Sequence, residues 1–135
     1  MEREEKKRLL ISYPYIRASL KYYEKLLREL DADIAAPTAK LTDMPHVQGI
    51  SNPTQIAGER RAELATELAT LRQKKLDIED GINSMDDLML RQVIIERFIN
   101  GHSQDDTADL MNYSRGYFWK IENKAIDLFE IGGKK

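Results

Sequence analysis

The chain has 135 residues, 41% of them hydrophobic and 33% charged, and a formal net charge of −2. It has no cysteine, which excludes disulfides, thiolate metal ligands and a cysteine nucleophile. No apolar run approaches the roughly 18 residues of a membrane span, and the charged first ten residues lack the apolar core of a signal peptide; a cytoplasmic protein without membrane contact fits this composition.

The first predicted element runs from about Glu2 to Ile34. Leu9, Tyr13, Ile16, Leu20, Tyr23, Leu27, Leu30 and Ile34 are spaced alternately four and three apart, a heptad seam narrow enough for a coiled coil. Pro14 interrupts it, because proline donates no amide and crowds the preceding turn. Either the helix kinks there, or Pro14 is the first residue of a new helix. Residues 35–54 follow as a long loop carrying Pro37, Pro45, Gly49 and Pro53, with Asn52 or Thr54 as the cap of the next helix. That helix spans Gln55 to about Ile82. Its seam is Leu64, Leu68, Leu71, Lys75, Ile78 and Ile82, extended backwards by Arg61 and Ala57. Two helices of similar length, each with one seam, predict an antiparallel hairpin over residues 1–83. Apolar edges left by such a pair favour a homodimer through residues 9–34 and 57–82.

Ser84, with Asp87 three residues on, starts a third helix over about Met85 to Asn100, apolar on a wide face and ended by Gly101. Ser103 caps a short helix from Gln104 to about Met111, Asn112 takes the left-handed turn, and Ser114 caps a last helix over 115–129. Ala108 is small enough for two helices to approach. The last helix has an apolar stripe of Phe118, Ile121, Ala125 and Leu128. Its opposite face carries Gly116, Trp119, Lys120, Asn123 and Asp127, flanked by Arg115 and Lys124; Tyr117 is expected to be partly buried. Charge is unevenly distributed: +3 over residues 1–30, −3 over 31–84 and −2 over 85–135, but locally +2 over 113–126. The predicted fold is all-α, a coiled-coil-like hairpin followed by a three-helix unit at 84–131 and a frayed tail at 132–135.

No convergent catalytic set emerges, and an enzyme is the least favoured reading. His46 and His102 have no local third metal ligand. Asp86-Asp87 and Asp105-Asp106 fall in first helical turns, where acids favour the helix dipole. No cofactor motif is present.

Residues 108–129 resemble the helix-turn-helix of bacterial sigma-70 region 4, whose recognition helix ends Ile-Glu-x-Lys-Ala-Leu; here Ile121-Glu122-Asn123-Lys124-Ala125-Ile126 stands in that place. The whole chain is similar to phage-encoded regulators of the ArpU/RinA-like late transcription activator family, whose loop is echoed by Met44-Pro45-His46 and by Ser51 to Thr54. The resemblance implies a DNA-binding transcription regulator that meets double-stranded DNA through Ser114, Arg115, Gly116, Tyr117, Trp119, Lys120, Asn123 and Lys124. RNA polymerase is a further implied partner. The usual acidic residue at the position of Gly116 is missing, so a different DNA sequence is expected. A phage DNA-packaging recognition subunit and a pure protein-interaction module are the competing readings.

Overall fold

Helix and turn account for the secondary structure of the computed structural model, which describes residues 1–35 and 53–133; among these no residue forms a strand. The fold is all-α. The first helix, α1, spans Arg3–Ala35 and carries Glu4 and Glu5 in its first turn, where acids suit the dipole. It runs on through Pro14, so a fresh start at Pro14 is not found. The ring of Pro14 is exposed, and the one helical bond forgone is the amide it lacks towards Leu10. An interior proline costs about 3 kcal/mol. Leu10, Tyr13 and Ile16 are buried around it, each worth roughly 1.5–3 kcal/mol, which outweighs that cost.

The second helix, α2, spans Pro53–Asn83. Its first residue is a proline, whose missing amide has no intrahelical partner at that position. Thr54 therefore lies inside the helix rather than capping it. Asn52, and the loop as far as it covers residues 36–52, lie outside the described residues, as do Lys134 and Lys135.

The chain divides into two compact units, Met1–Arg17 with Gln73–Lys135, and Ala18–Arg72. The boundary expected at 83/84 falls inside the first of these. In the second unit Leu20, Leu64 and Leu68 are buried, with Tyr23, Leu27, Leu30 and Leu71 half-buried beside them. Arg61 pairs with Asp31, and Arg72 lies 3.5 Å from Glu24. Numbering thus rises along α1 as it falls along α2 within this unit. Both pairs are exposed and add little stability; the leucines supply it. Arg61, expected to extend the seam, lies on its exposed rim.

In the first unit Ile78, Ile82, Met85, Leu90, Val93, Ile94, Phe98, Phe118, Ala125, Ile126 and Phe129 join Leu10, Tyr13 and Ile16 in one core. The third helix, α3, spans Leu88–Ile94, and its cap is Asp87, not Ser84: the Asp87 carboxylate accepts from the Leu90 amide at 3.1 Å. Ser84 instead donates to the Gly81 carbonyl at 3.0 Å, closing the end of α2. Asp86 and Asp87 therefore precede the helix rather than filling its first turn. Beyond Ile94 the helix widens into a π turn, Ile95–Ile99, and Gly101 ends it with φ +77°. A π turn takes one more residue per turn than an α-helix, so it rotates the side chains that follow it.

Lys75, a polar residue within the α2 seam, is half-buried and pairs with Glu79 at 2.9 Å. Gly132 and Gly133, expected to fray, form a 3-10 turn, Ile131–Gly133, with positive φ at both glycines. No helix among the described residues is long and apolar enough to cross a membrane.

Candidate nucleic-acid interface

The fourth helix, α4, spans Gln104–Leu110, and the fifth, α5, spans Arg115–Leu128. Ser103 caps α4 by accepting from the Asp106 amide at 3.0 Å, and Ser114 caps α5 by accepting from the Tyr117 amide at 3.3 Å. Between them Asn112 takes φ +60°, the left-handed conformation that asparagine tolerates better than most residues. The Tyr113 amide then donates back to the Ala108 carbonyl at 2.9 Å. Ala108 is fully buried, which lets the two helices approach.

Helical geometry of about 100° per residue divides α5 into two sides. Phe118, Ile121, Glu122, Ala125 and Ile126 are buried against α3 and α4. Leu128, expected to complete the stripe, is instead about half exposed (51%), and Phe129 is buried in its place. The helix ends at Leu128; Phe129 has extended backbone angles, and its ring turns inward against Gly81. A methyl group added at Gly81 would lie 2.6 Å from that ring and 2.5 Å from the Glu130 carbonyl oxygen.

The other side of α5 is open. Gly116 and Lys120 are exposed near its crest, with Asn123 half-buried beside them. Arg115 and Trp119 are exposed on the flank nearer α4, Tyr117 and Lys124 on the opposite flank. Tyr117 keeps 49% of its surface exposed and Trp119 58%. Nothing lies within 4 Å of where a side chain on Gly116 would begin. Lys120 and Lys124 have no ion-pair partner among the described residues. Arg115 does have one: its Nε donates to Asp105 of α4 at 2.8 Å. Asp127, grouped with this face by helical period, is held by Arg3 through two bonds of 2.8 and 2.7 Å. Those bonds from Arg3 hold the Asp127 carboxyl below its ordinary pKa against a smaller opposing effect of burial. Lys6 donates to the Asp127 carbonyl at 2.8 Å, a cation at the negative end of α5.

Two features of this site went beyond the sequence reading. Glu122 is fully buried and does not offset the cations of the open face. One of its oxygens accepts from Arg97 of the π turn, the other from Gln104 of α4 at 2.6 Å. Arg97 also donates to the His102 carbonyl at 3.1 Å. One carboxylate thereby ties three elements together. The second feature is an aromatic pair: the rings of Tyr113 and Tyr117 stand edge to face, 5.2 Å apart, and the Tyr113 hydroxyl donates to the Met89 sulfur at 2.8 Å.

His102 lies 3.4 Å from Glu96, while His46 lies outside the described residues. No group of three or more His, Cys, Asp or Glu side chains among the described residues is placed to hold a metal ion. Comparison of the chain with protein-family models, with curated proteins and with solved structures found no match.

Proposed function

We propose that this chain is a sequence-specific, DNA-binding transcription regulator, phage-derived and similar to sigma-70 region 4, that lays α5 in the major groove of double-stranded DNA. The observation that carries the proposal is the division of α5: one side anchored by five buried residues, the other open and presenting Arg115, Lys120 and Lys124 around an unobstructed Gly116. In DNA-binding helix-turn-helix proteins the second helix reads base edges with its N-terminal residues, and arginine or lysine suits guanine O6 and N7 while asparagine suits adenine. Ser114 supports the site as the α5 cap, and its hydroxyl stands where phosphates approach a helix start.

The test is selection of bound sites from random duplex DNA by the full chain, followed by mobility-shift titration of Lys120→Ala and Arg115→Ala. Each variant is expected to keep its helical content and lose roughly 1–3 kcal/mol of binding to the selected site. Three cations predict a log–log salt slope of about −3 per chain. Variants that bind as tightly as the parent would remove the proposal. Solution mass separates its two settings: a monomer or a homodimer fits a regulator, whereas a ring of many copies points to DNA packaging.

A second reading, contact with a protein such as RNA polymerase, is supported by one observation. The half-exposed Leu128 and the buried Met85 line a cleft of about 430 Å³ whose other lining residues include Asp86, Asp87 and Glu130. Leu128→Asp should abolish co-purification with polymerase and leave affinity for the selected duplex unchanged; retention of polymerase by that variant rules the contact out.

A further inference from the structure

Tyr117 is the third residue of α5, within the turn that meets base edges if the proposed DNA reading holds, and the role inferred for this side chain rests on that reading. Its ring is half exposed, but it does not stand alone. Tyr113 packs edge to face against it at 5.2 Å, and Tyr113 is in turn fixed by its hydroxyl on the Met89 sulfur. The ring is thus supported on one side by residues from the turn and from α3, and open on the other. Tyrosine loses few rotamers on binding, and a ring already braced loses fewer. Lys120 and Lys124 follow three and seven residues on, Lys124 on the same flank and Lys120 towards the crest, so an apolar surface precedes two cations along the open side. Gly116 leaves open space beside it.

The floor of the major groove is almost wholly polar. Guanine, cytosine and adenine present donors and acceptors there; thymine alone of the standard bases adds an apolar group, its 5-methyl. An apolar ring face set among cations at the start of a groove-reading helix therefore matches one feature of the groove better than any other. We propose that Tyr117, braced by Tyr113 and Met89, reads a thymine 5-methyl group and so makes this chain select thymine at one position of its site. Lys120 and Lys124 hold the flanking guanine or phosphates.

Replacing a thymine by deoxyuridine removes that methyl and leaves base pairing and every hydrogen-bonding group in place. The experiment takes the duplex selected by the full chain and substitutes each thymine singly by deoxyuridine, reading affinity by fluorescence anisotropy. A buried methyl predicts about a fourfold loss at one position. Tyr117→Ala should bind more weakly and no longer distinguish thymine from uracil there, while Tyr117→Phe, which keeps the ring, should retain the discrimination. Tyr117 is exposed enough that both variants should keep the parent's helical signal. The proposal is overturned if no position is uracil-sensitive, which would leave the ring on the sugar-phosphate backbone, or if Tyr117→Ala keeps the same uracil penalty. A chain that enriches no duplex at all removes the DNA reading together with this one.

Discussion

Glu122 decides more of the geometry of α5 than any other polar side chain. Both its oxygens are used, by Arg97 and by Gln104, in a position without solvent exposure. Removing one partner of a buried ion pair leaves a charge stranded, at about 3–5 kcal/mol. Arg97 keeps some contact with water (16%), so Glu122→Gln should lie near the lower end, about 3 kcal/mol, measured as a reduced urea midpoint. The double variant Arg97→Met with Glu122→Leu should recover most of that loss, because both charges then leave the interior; a Glu122→Gln protein as stable as the parent would contradict the account. Burial of Glu122 was legible in principle, since it lies four residues after Phe118 and three before Ala125, on the stripe itself. Its partner was not, because Arg97 arrives there through a π turn that no hydrophobic period announces. Tyr13 offers a second measurement at this scale. Burial first, and the hydrogen bond to Glu79 second, push its phenol up to about 12. For Glu79, burial alone would raise the pKa, yet the bonds from Tyr13 and Lys75 outweigh it and the carboxyl sits below its ordinary value. A raised phenol stabilises the fold below the ordinary tyrosine value of about 10. That contribution disappears as pH rises towards 12. The lowered carboxyl acts oppositely, stabilising above about 4.3 and losing its effect on acidification. Ultraviolet titration should show one tyrosine ionising well above the others, and Tyr13→Phe should abolish that late step.

At the scale of elements, caps were the most legible signals and ends the least. Ser103, Ser114, Asn112 and Gly101 do what their chemistry predicts, because each answers a local need of the backbone. Ser84 misled because Ser-x-x-Asp fits a helix start, yet Asp87 is the better acceptor three residues before Leu90. Leu128 misled because a period says which residues align, not where a helix stops; one residue later the chain leaves the helix and Phe129 takes the buried place. That exchange makes Gly81 essential, and the two glycines of α2 give opposite predictions. Gly→Ala inside a helix ordinarily gains roughly 0.5–1 kcal/mol. Gly58 has nothing within 4 Å of the added carbon, so Gly58→Ala should raise the thermal midpoint. At Gly81 the added carbon meets a backbone carbonyl at 2.5 Å, which cannot swing aside as a side chain could. Gly81→Ala should therefore lower the midpoint despite its better helix propensity. Equal gains at both positions would mean that the segment after α5 does not pack on α2.

For the whole molecule the sequence predicts a hairpin followed by a three-helix unit at 84–131, and here helix type was legible while partnership was not. Heptads show that a seam exists but not which surface covers it. Leu10, which lies beside the predicted seam, is fully buried, and Tyr13 and Ile16 are buried in the unit that holds α3, α4 and α5. Arg3 and Lys6 hold the end of α5. The start of the chain thus supplies part of the wall on which the proposed reading helix stands. Three buried side chains contribute roughly 1.5–3 kcal/mol each, comparable to the whole stability of a small domain. Residues 84–135 expressed alone should therefore show far less helix by circular dichroism than the same residues contribute in the full chain. A fragment of residues 73–135 restores Ile78, Gly81 and Ile82 but still lacks the α1 contribution. Adding a peptide of residues 1–17 to that fragment should raise its helical signal saturably with peptide concentration, and Leu10→Asp in the peptide should cancel the effect. If the 84–135 fragment melts cooperatively at the temperature of the intact protein, the C-terminal helices form a self-sufficient domain, and the N-terminal clasp is incidental to how α5 is held.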